Sequence, residues 1–173
     1  MRWGYRLGQL LMRMKGSDAT VARETARRVL PREAYRLFEE MPPGDQIHAL
    51  CVFRALGGAD TAGADLAQAA LLHDVGKAKG RLTMPRRALI LLLEWLGGDL
   101  LERLALAESA SWRYPFYVHL RHPELGASRC QEVGCSELTV ALVRYHESSV
   151  EDLDCAPRLK ESLIALKAAD ERC

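Results

Sequence analysis

The 173-residue chain is predicted to fold as an all-α protein. Apolar residues recur at intervals of three and four through most of the chain, which is the period of an amphipathic helix. No convincing stretch alternates apolar and polar residues as a half-buried strand does. Glycine and proline residues divide the chain into segments with the length of ordinary globular helices, about 8 to 20 residues.

The composition is that of a globular protein with a substantial core. Apolar residues make up 49% and charged residues 27% of the chain, which excludes disordered, collagen-like and low-complexity classes. The length fits one domain, or one domain with an appendage. The longest apolar run, residues 88–93, is too short to cross a bilayer. Arg13 and Lys15 interrupt the N-terminal apolar stretch, so no signal peptide is expected.

Five helices are predicted in the first half of the chain. They cover residues 2–14, from 17 or 18 to about 30, 31–41, 46–56 and 65–73. Gly16 ends the first, the Pro-Pro-Gly of residues 42–44 ends the third, and Gly57-Gly58 ends the fourth. Pro31 suits a first helical position, and Asp45 is predicted to be the N-cap of the fourth helix.

The second half continues the helical pattern. Predicted helices cover residues 86–96, 99–107, 123–133, 136–146 and 158–170. Pro123 is expected to open its helix and Ser136 to cap the next. Residues 114–120 are rich in aromatic and β-branched side chains and are interpreted as helical or irregular. In the last helix Asp170 falls on the same face as Leu159, Leu163 and Leu166, so it is predicted to face the core.

Charge is distributed unevenly along the chain. The first 36 residues hold nine basic and three acidic side chains, whereas the whole chain has a net charge of only +1. Residues 1–43 are therefore predicted to form a basic N-terminal helical extension. Two interpretations of this extension stay open: contact with nucleic acid or an anionic membrane face, or an extra helical layer with a solvated basic face.

The five cysteines are an odd number and include no CxxC pair. They are predicted to be reduced, mostly buried thiols of a cytoplasmic protein. A zinc site built from Cys130 and Cys135 is not favoured, because no second pair follows.

Four of the five histidines lie at predicted helix ends or beside a carboxylate, namely His48, His73, His122 and His146. A carboxylate on a buried helix face, as predicted for Asp170, is costly unless it is paired or binds a cation. Imidazole and carboxylate together suit a divalent transition metal such as Mn, Fe or Zn. His119 has no such partner and is expected to be an ordinary hydrogen-bonded side chain.

The ordered set His48, His73-Asp74 and Asp170 resembles the H…HD…D signature of the HD-domain metal-dependent phosphohydrolases. Three further stretches resemble the HDxGK, HPxxGA and HHE motifs of the HD-GYP branch: HDVGK at 73–77, HPELGA at 122–127 and YHE at 145–147. The resemblance covers about residues 45–171. Two departures stand out. Residues 148–153 contain no GYP, which in that branch accompanies cyclic di-GMP hydrolysis, and Tyr145 replaces the first His of HHE.

The resemblance implies an HD-domain helical bundle over residues 44–173, with one or two divalent ions of Mn, Fe or a similar metal. The implied metal ligands are His48, His73, Asp74, His122, His146 and Asp170. Asp74 bridges the two ions, and Asp74 and Lys77 are the implied catalytic residues. Lys77 and Arg121 are the implied substrate contacts.

The implied activity is hydrolysis of a small phosphorylated substrate by a metal-activated hydroxide. A nucleotide or another phosphomonoester is favoured over a cyclic dinucleotide. Two alternatives stay open. The first is a non-catalytic HD module that senses a ligand or a partner, and the second is a di-iron oxygenase. Substrate identity and oligomeric state are not fixed by the sequence.

Overall fold

The computed structural model describes residues 16–80, 83–96 and 98–173. Within these ranges the chain forms ten α-helices and one 3-10 helix, and no strand is present. The predicted all-α fold is therefore confirmed. The predicted helix at residues 2–14 lies outside the described residues.

The helices follow one another with short connections. In chain order they are α1 (Gly16–Val29), α2 (Arg32–Glu39), α3 (Pro43–Ala55), α4 (Gly58–Ala62), α5 (Ala64–Leu72), the 3-10 helix Val75–Gly80, α6 (Met84–Leu96), α7 (Gly98–Leu104), α8 (Tyr114–Glu132), α9 (Glu137–Tyr145) and α10 (Pro157–Asp170). None of the described helices has the length and apolar character needed to cross a membrane.

The short helix α5 lies at the centre of the main hydrophobic core. Ala67, Ala69, Ala70, Leu71 and Leu72 are completely buried, and α1, α3, α9 and α10 all pack against this helix. Alanine dominates α5 because surrounding helices approach it closely on several sides. Each fully buried leucine contributes about 1.5–3 kcal/mol by leaving water. The consequence is that the residues directly after α5 are fixed at the centre of the molecule.

Helices α1 and α2 share this core rather than standing apart from it. Ala22, Ala26 and Phe38 belong to the same buried cluster as Leu71. The basic side chains of α1 are mostly exposed, although the Arg23 Nε–H donates to Gln46 Oε1 at 2.9 Å. A domain boundary at residue 43 stays a prediction.

A smaller cluster forms beside the main core. It contains Ile90, Leu93, Leu101 and Phe116, from α6, α7 and the start of α8. Of these three helices, α8 also packs along the 3-10 helix Val75–Gly80.

The start of α3 differs from the prediction. The helix begins at Pro43 with Pro42 as its N-cap, so Asp45 is not a cap but a first-turn residue. Proline is well suited to the first turn because its missing N–H has no partner there anyway. Asp45 is buried instead, and its Oδ2 accepts from Arg87 Nη2 at 2.6 Å.

The predicted helix start at Pro123 is wrong. A single helix, α8, runs through Tyr114–Glu132 with Pro123 inside it, which also resolves residues 114–120 as helical. Proline removes one N–H bond from a helix interior. The helix tolerates this because another donor reaches the carbonyl of residue 119, as described below.

The expectation that all cysteines are reduced is wrong for one pair. Cys51 and Cys173 form a disulfide that links α3 to the C-terminus. The packing of α3 beside α10 brings their Cα atoms to 5.8 Å, within the range that a disulfide spans. Cys130, Cys135 and Cys155 are free thiols.

The junction between α8 and α9 follows the prediction. Gly134 adopts a left-handed backbone with φ of 79° just after the end of α8, and Cys135 N–H donates to Cys130 O at 3.0 Å. This bond closes the helix in a Schellman arrangement. Ser136 is the N-cap of α9, and its Oγ accepts from Thr139 N–H at 3.1 Å.

Candidate metal centre

Five helix ends or faces converge around the residues that follow α5. The six predicted ligands all lie here: His48 on α3, His73 at the end of α5, Asp74 immediately after it, His122 on α8, His146 at the end of α9 and Asp170 at the end of α10. Residues separated by up to 122 positions in the sequence are thus brought into one cluster.

Asp74 lies at the centre of this cluster and is 2% exposed. Its Oδ1 is 2.7 Å from Lys77 Nζ, a buried ion pair across one short turn. The same oxygen is 3.5 Å from His122 Nε2, 3.8 Å from His73 Nε2 and 3.9 Å from His146 Nε2. One carboxylate oxygen therefore faces three imidazoles.

Two groups of three ligand atoms share Asp74. In the first group, ligand atoms of His48, His73 and Asp74 all lie within 4.8 Å of one another. Asp170 completes this side, because its Oδ1 lies 2.8 Å from His48 Nε2 and 3.7 Å from His73 Nε2. Two imidazoles and two carboxylates are a donor set that could hold a divalent transition ion.

The second group consists of Asp74, His122 and His146, whose ligand atoms also lie within 4.8 Å of one another. Glu147 Oε1 lies 3.4 Å from His122 Nε2, with its side chain 53% exposed. Glu147 was not among the predicted ligands, although it directly follows the predicted ligand His146 in the Tyr-His-Glu stretch. Tyr145 packs instead against the main core, and the second group assembles without it.

The rings of three histidines are oriented by a hydrogen bond from Nδ1–H to a backbone carbonyl. The ring Nδ1–H of His73 donates to Ala70 O at 2.9 Å, and that of His146 donates to Val143 O at 2.8 Å. Both carbonyls lie in the last turn of a helix, where backbone N–H partners run out. A carbonyl can only accept, so each Nδ1 carries a proton, and in the neutral form of the ring Nε2 keeps the lone pair that a metal ion binds.

His122 is the third of these histidines, and its acceptor carbonyl is left free by Pro123. Because proline has no N–H, the carbonyl of His119 loses its usual helical donor. The His122 Nδ1–H donates to that carbonyl at 2.7 Å. Pro123, which was predicted to start a helix, therefore lies inside a continuous helix and leaves free the carbonyl that orients His122.

The Nε2 atoms of His122 and His146 face one another at 3.2 Å. When both rings are neutral and carry their proton on Nδ1, the two Nε2 lone pairs face each other in a buried space. A cation between them satisfies both. This arrangement fits a metal ion, because metal-ligating histidines characteristically donate their other ring N–H to a backbone carbonyl or a carboxylate.

Glycine permits the close packing of the 3-10 helix on α8. A Cβ added at Gly76 would lie 2.0 Å from His122 O and 2.8 Å from Gly126 N. Gly126 is similarly constrained, with 3.2 Å to Gly76 N. This backbone contact brings His122 next to Asp74.

The ionisable side chains of this cluster shift one another's pKa values. Burial alone raises the pKa of Asp74, but the charges of Lys77 and His73 outweigh it and hold that pKa well below its usual range. Burial lowers the pKa of Lys77, yet Asp74 and Glu147 outweigh this and raise it. Burial, with His73 and His122 nearby, lowers the pKa of His146 to about 3. The imidazole of His146 is therefore neutral at pH 7, the form that binds metals.

Asp170 is also held ionised. Burial alone raises the pKa of Asp170. The hydrogen bond from His48 and the charge of His73 lower it by more than burial raises it, so the pKa lies below its usual range. Both predicted carboxylate ligands are thus anionic in the folded chain.

The two predicted substrate contacts are placed differently. Lys77 is 15% exposed and borders Asp74. Arg121 is 60% exposed and pairs with Glu124 at 3.8 Å, so it lies on the outer face of α8 although it adjoins His122. His119 belongs to neither group and bonds Glu94 Oε1 at 2.8 Å, as expected of a histidine without a ligand role.

Comparisons with known proteins add no identification. No protein-family model, curated protein or solved structure matches the chain.

Proposed function

We propose that the chain is a metal-dependent phosphohydrolase of the HD type. The observation that carries the proposal is the sharing of the Asp74 carboxylate between two buried ligand groups, one with His48 and His73 and the other with His122 and His146. One carboxylate between two histidine sets is the arrangement expected of a two-ion site. The ordered H…HD…D signature of the sequence supports the same assignment.

The first ion would be held by His48, His73, Asp74 and Asp170. The second would be held by Asp74, His122 and His146, with Glu147 at its solvent side. Such ions acidify a water to make a nucleophile at neutral pH and neutralise the oxygens of a phosphoryl group.

The chain's own residues complete the site. Lys77 Nζ lies 2.7 Å from Asp74 Oδ1, so its positive charge is fixed beside the position where a phosphoryl group would bind. A preorganised cation stabilises charge that develops on phosphoryl oxygens without reorganising in the reaction. The absence of GYP after Glu147 favours a nucleotide or another small phosphomonoester over a cyclic dinucleotide.

The test combines metal analysis with turnover. The purified chain is loaded with Mn²⁺ or, without oxygen, Fe²⁺; bound metal is measured by elemental analysis, and release of phosphate or alcohol is followed on generic phosphoesters. We expect one to two ions per chain and metal-dependent hydrolysis. Asp74→Ala should lose both. Asp60→Ala, which removes an exposed carboxylate on α4, is the matched control and should retain both.

Two other results would point away from a metal-dependent phosphohydrolase. Bound metal without turnover on any phosphoester would instead support a non-catalytic binding module. No bound metal in the wild-type chain, or unchanged metal content in Asp74→Ala, would overturn the assignment.

A further inference from the structure

The disulfide links α3, which carries His48, to the segment just after α10, whose last residue is Asp170. His48 and Cys51 are three residues apart on α3 and so lie on the same side of that helix. Cys173 lies three residues beyond Asp170 in the sequence. The disulfide and the His48–Asp170 pair are therefore two neighbouring cross-links between the same two segments.

The His48–Asp170 contact depends on where the end of α10 lies. Asp170 is the last residue of the helix, and its Oδ1 lies 2.8 Å from His48 Nε2. Helix ends fray easily unless they are tied down. Upstream of Asp170, α10 is anchored by buried Leu163, Leu166 and Ala169. Beyond it, the disulfide is the covalent anchor.

A second contact holds α10 one turn earlier. Lys167 Nζ donates to Ser148 O at 2.5 Å, which ties the helix to the loop after α9. Opening the disulfide would therefore leave α10 docked through Ala169 and Lys167 and release only its last residue, Asp170, together with residues 171–173.

The disulfide is accessible to a reductant. Cys51 is exposed and Cys173 is partly exposed, so the disulfide lies at the surface of the described structure. Thiolate attack on an accessible disulfide sulfur is the first step of thiol–disulfide exchange.

We propose that the Cys51–Cys173 disulfide is a redox-controlled clasp that fixes Asp170 against His48 and so sets the affinity of the first ligand group for a divalent ion. The inference rests on the proposed metal site. A dithiol reductant supplies two electrons and two protons. The S–S bond breaks, Cys51 and Cys173 become thiols, and the reductant leaves as its own disulfide.

The second ligand group does not share this dependence. His122 and His146 are carried by α8 and α9, which the disulfide does not join. Reduction should therefore weaken one ion site selectively, which distinguishes a clasp on Asp170 from a general loss of folded structure.

The test is Mn²⁺ titration of the oxidised and reduced wild-type chain, with free Mn²⁺ followed by electron paramagnetic resonance. The reductant is removed by anaerobic gel filtration before titration, and mass spectrometry reports the disulfide. We expect reduction to weaken one Mn²⁺ site by roughly 10- to 100-fold, the range found when support for a metal ligand is lost. The other site should change by less than about threefold.

Variants and a metal-independent measurement complete the design. Cys51→Ser should reproduce the reduced wild type, and Cys155→Ser, which removes a free thiol, should match the oxidised wild type. In the metal-free chain, hydrogen exchange of residues 170–173 should accelerate on reduction while α5 stays protected. If Cys51→Ser fails to fold, reduction of the wild type gives the same comparison without a mutation.

The possible outcomes separate the clasp from the metal site. Equal Mn²⁺ affinities for oxidised and reduced chains would overturn the clasp and leave the proposed function intact. Absence of the disulfide after air oxidation would also overturn it. No Mn²⁺ binding by the oxidised chain would overturn the clasp and the proposed function together.

Discussion

His122 and His146 face each other through Nε2 atoms 3.2 Å apart, while the Nδ1–H of each ring donates to a backbone carbonyl. In these tautomers of the neutral rings, both Nε2 atoms present lone pairs and neither has a proton to donate. A buried polar pair without a shared proton is unfavourable unless a cation lies between the two nitrogens. The pair is therefore organised for an ion before the ion binds.

The first prediction concerns His146→Ala. Removing one of the two facing nitrogens should reduce bound metal from two ions to one per chain. It should also diminish metal-induced stabilisation, which for one site is about 2.7 kcal/mol at a free ion concentration of 100 times Kd. Thermal unfolding with and without Mn²⁺ measures this change. His119→Ala, which removes an imidazole from outside both groups, should bind metal like the wild type. An unchanged ion count in His146→Ala would contradict the assignment.

A second prediction concerns pH in the metal-free chain. The pKa of His146 falls from its ordinary 6.5 to about 3 on folding, so the unfolded chain takes up a proton that the folded chain excludes. Stability should therefore decline as pH falls from about 6.5 towards 3, by up to about 1.4 kcal/mol per pH unit for this group. Below about pH 4 the lowered pKa values of Asp74 and Asp170 add to the loss.

Urea unfolding at pH 7, 6 and 5 with a chelator present checks this dependence. His146→Gln should unfold with a shallower pH slope over the same interval, because the group that takes up the proton is gone. Parallel slopes for wild type and variant would show that His146 does not titrate as stated.

Lys77→Ala gives a third prediction. Loss of the cation beside Asp74 should lower kcat for phosphoester hydrolysis by roughly 100- to 1,000-fold, the cost of deleting one preorganised electrostatic group. Bound metal should be retained, since Lys77 supplies no ligand atom. Initial rates on the metal-loaded protein, paired with elemental analysis, measure both effects. Normal kcat in Lys77→Ala would remove the lysine from the proposed chemistry.

Gly76→Ala gives a fourth prediction, which tests the contact between the 3-10 helix and α8. The added Cβ would lie 2.0 Å from His122 O, so the two backbones must separate. We expect a loss of about 1–3 kcal/mol in the free energy of unfolding and weaker metal binding. Gly63→Ala is the control: its Cβ meets no atom within 4 Å, but its φ of +77° is strained for alanine. It should lose about 1–3 kcal/mol, the cost of a backbone conformation that non-glycine residues rarely adopt, with metal affinity intact.

The fifth prediction concerns the stability supplied by the disulfide. Cys51 and Cys173 are separated by 122 residues, so the bond closes most of the chain into a loop and restricts the unfolded state. Cys51→Ser should lower the free energy of unfolding by about 2–5 kcal/mol, measured by urea titration under oxidising conditions. Cys155→Ser should be close to wild type, and equal midpoints for both variants would contradict the pairing.

Local sequence patterns predicted the helices well because periodicity and capping are local properties. Ser136 caps α9 as expected, and the six predicted ligands lie in one cluster. The N-cap assigned to Asp45 was wrong because the helix begins two residues earlier, at Pro43. The helix start assigned to Pro123 was wrong because the ring of the neighbouring His122 donates the hydrogen bond that proline cannot.

The disulfide and Glu147 illustrate a further limit. The pairing of Cys51 with Cys173 follows from how α3 and α10 pack, and no spacing rule connects residues at such separation. Glu147 adjoined a predicted ligand in sequence, but only its distance to His122 Nε2 shows that it borders the second group. Tertiary packing, rather than residue type, decides both.

The burial of α5 has a kinetic consequence for the centre it carries. His73 and Asp74 follow the most enclosed segment of the main core, so exposing them requires an opening close to complete unfolding. Asp170 lies on the solvent side of the first group, with its side chain 40% exposed. An ion at the first group should therefore enter and leave past Asp170, while the His73–Asp74 side remains the fixed wall of that passage.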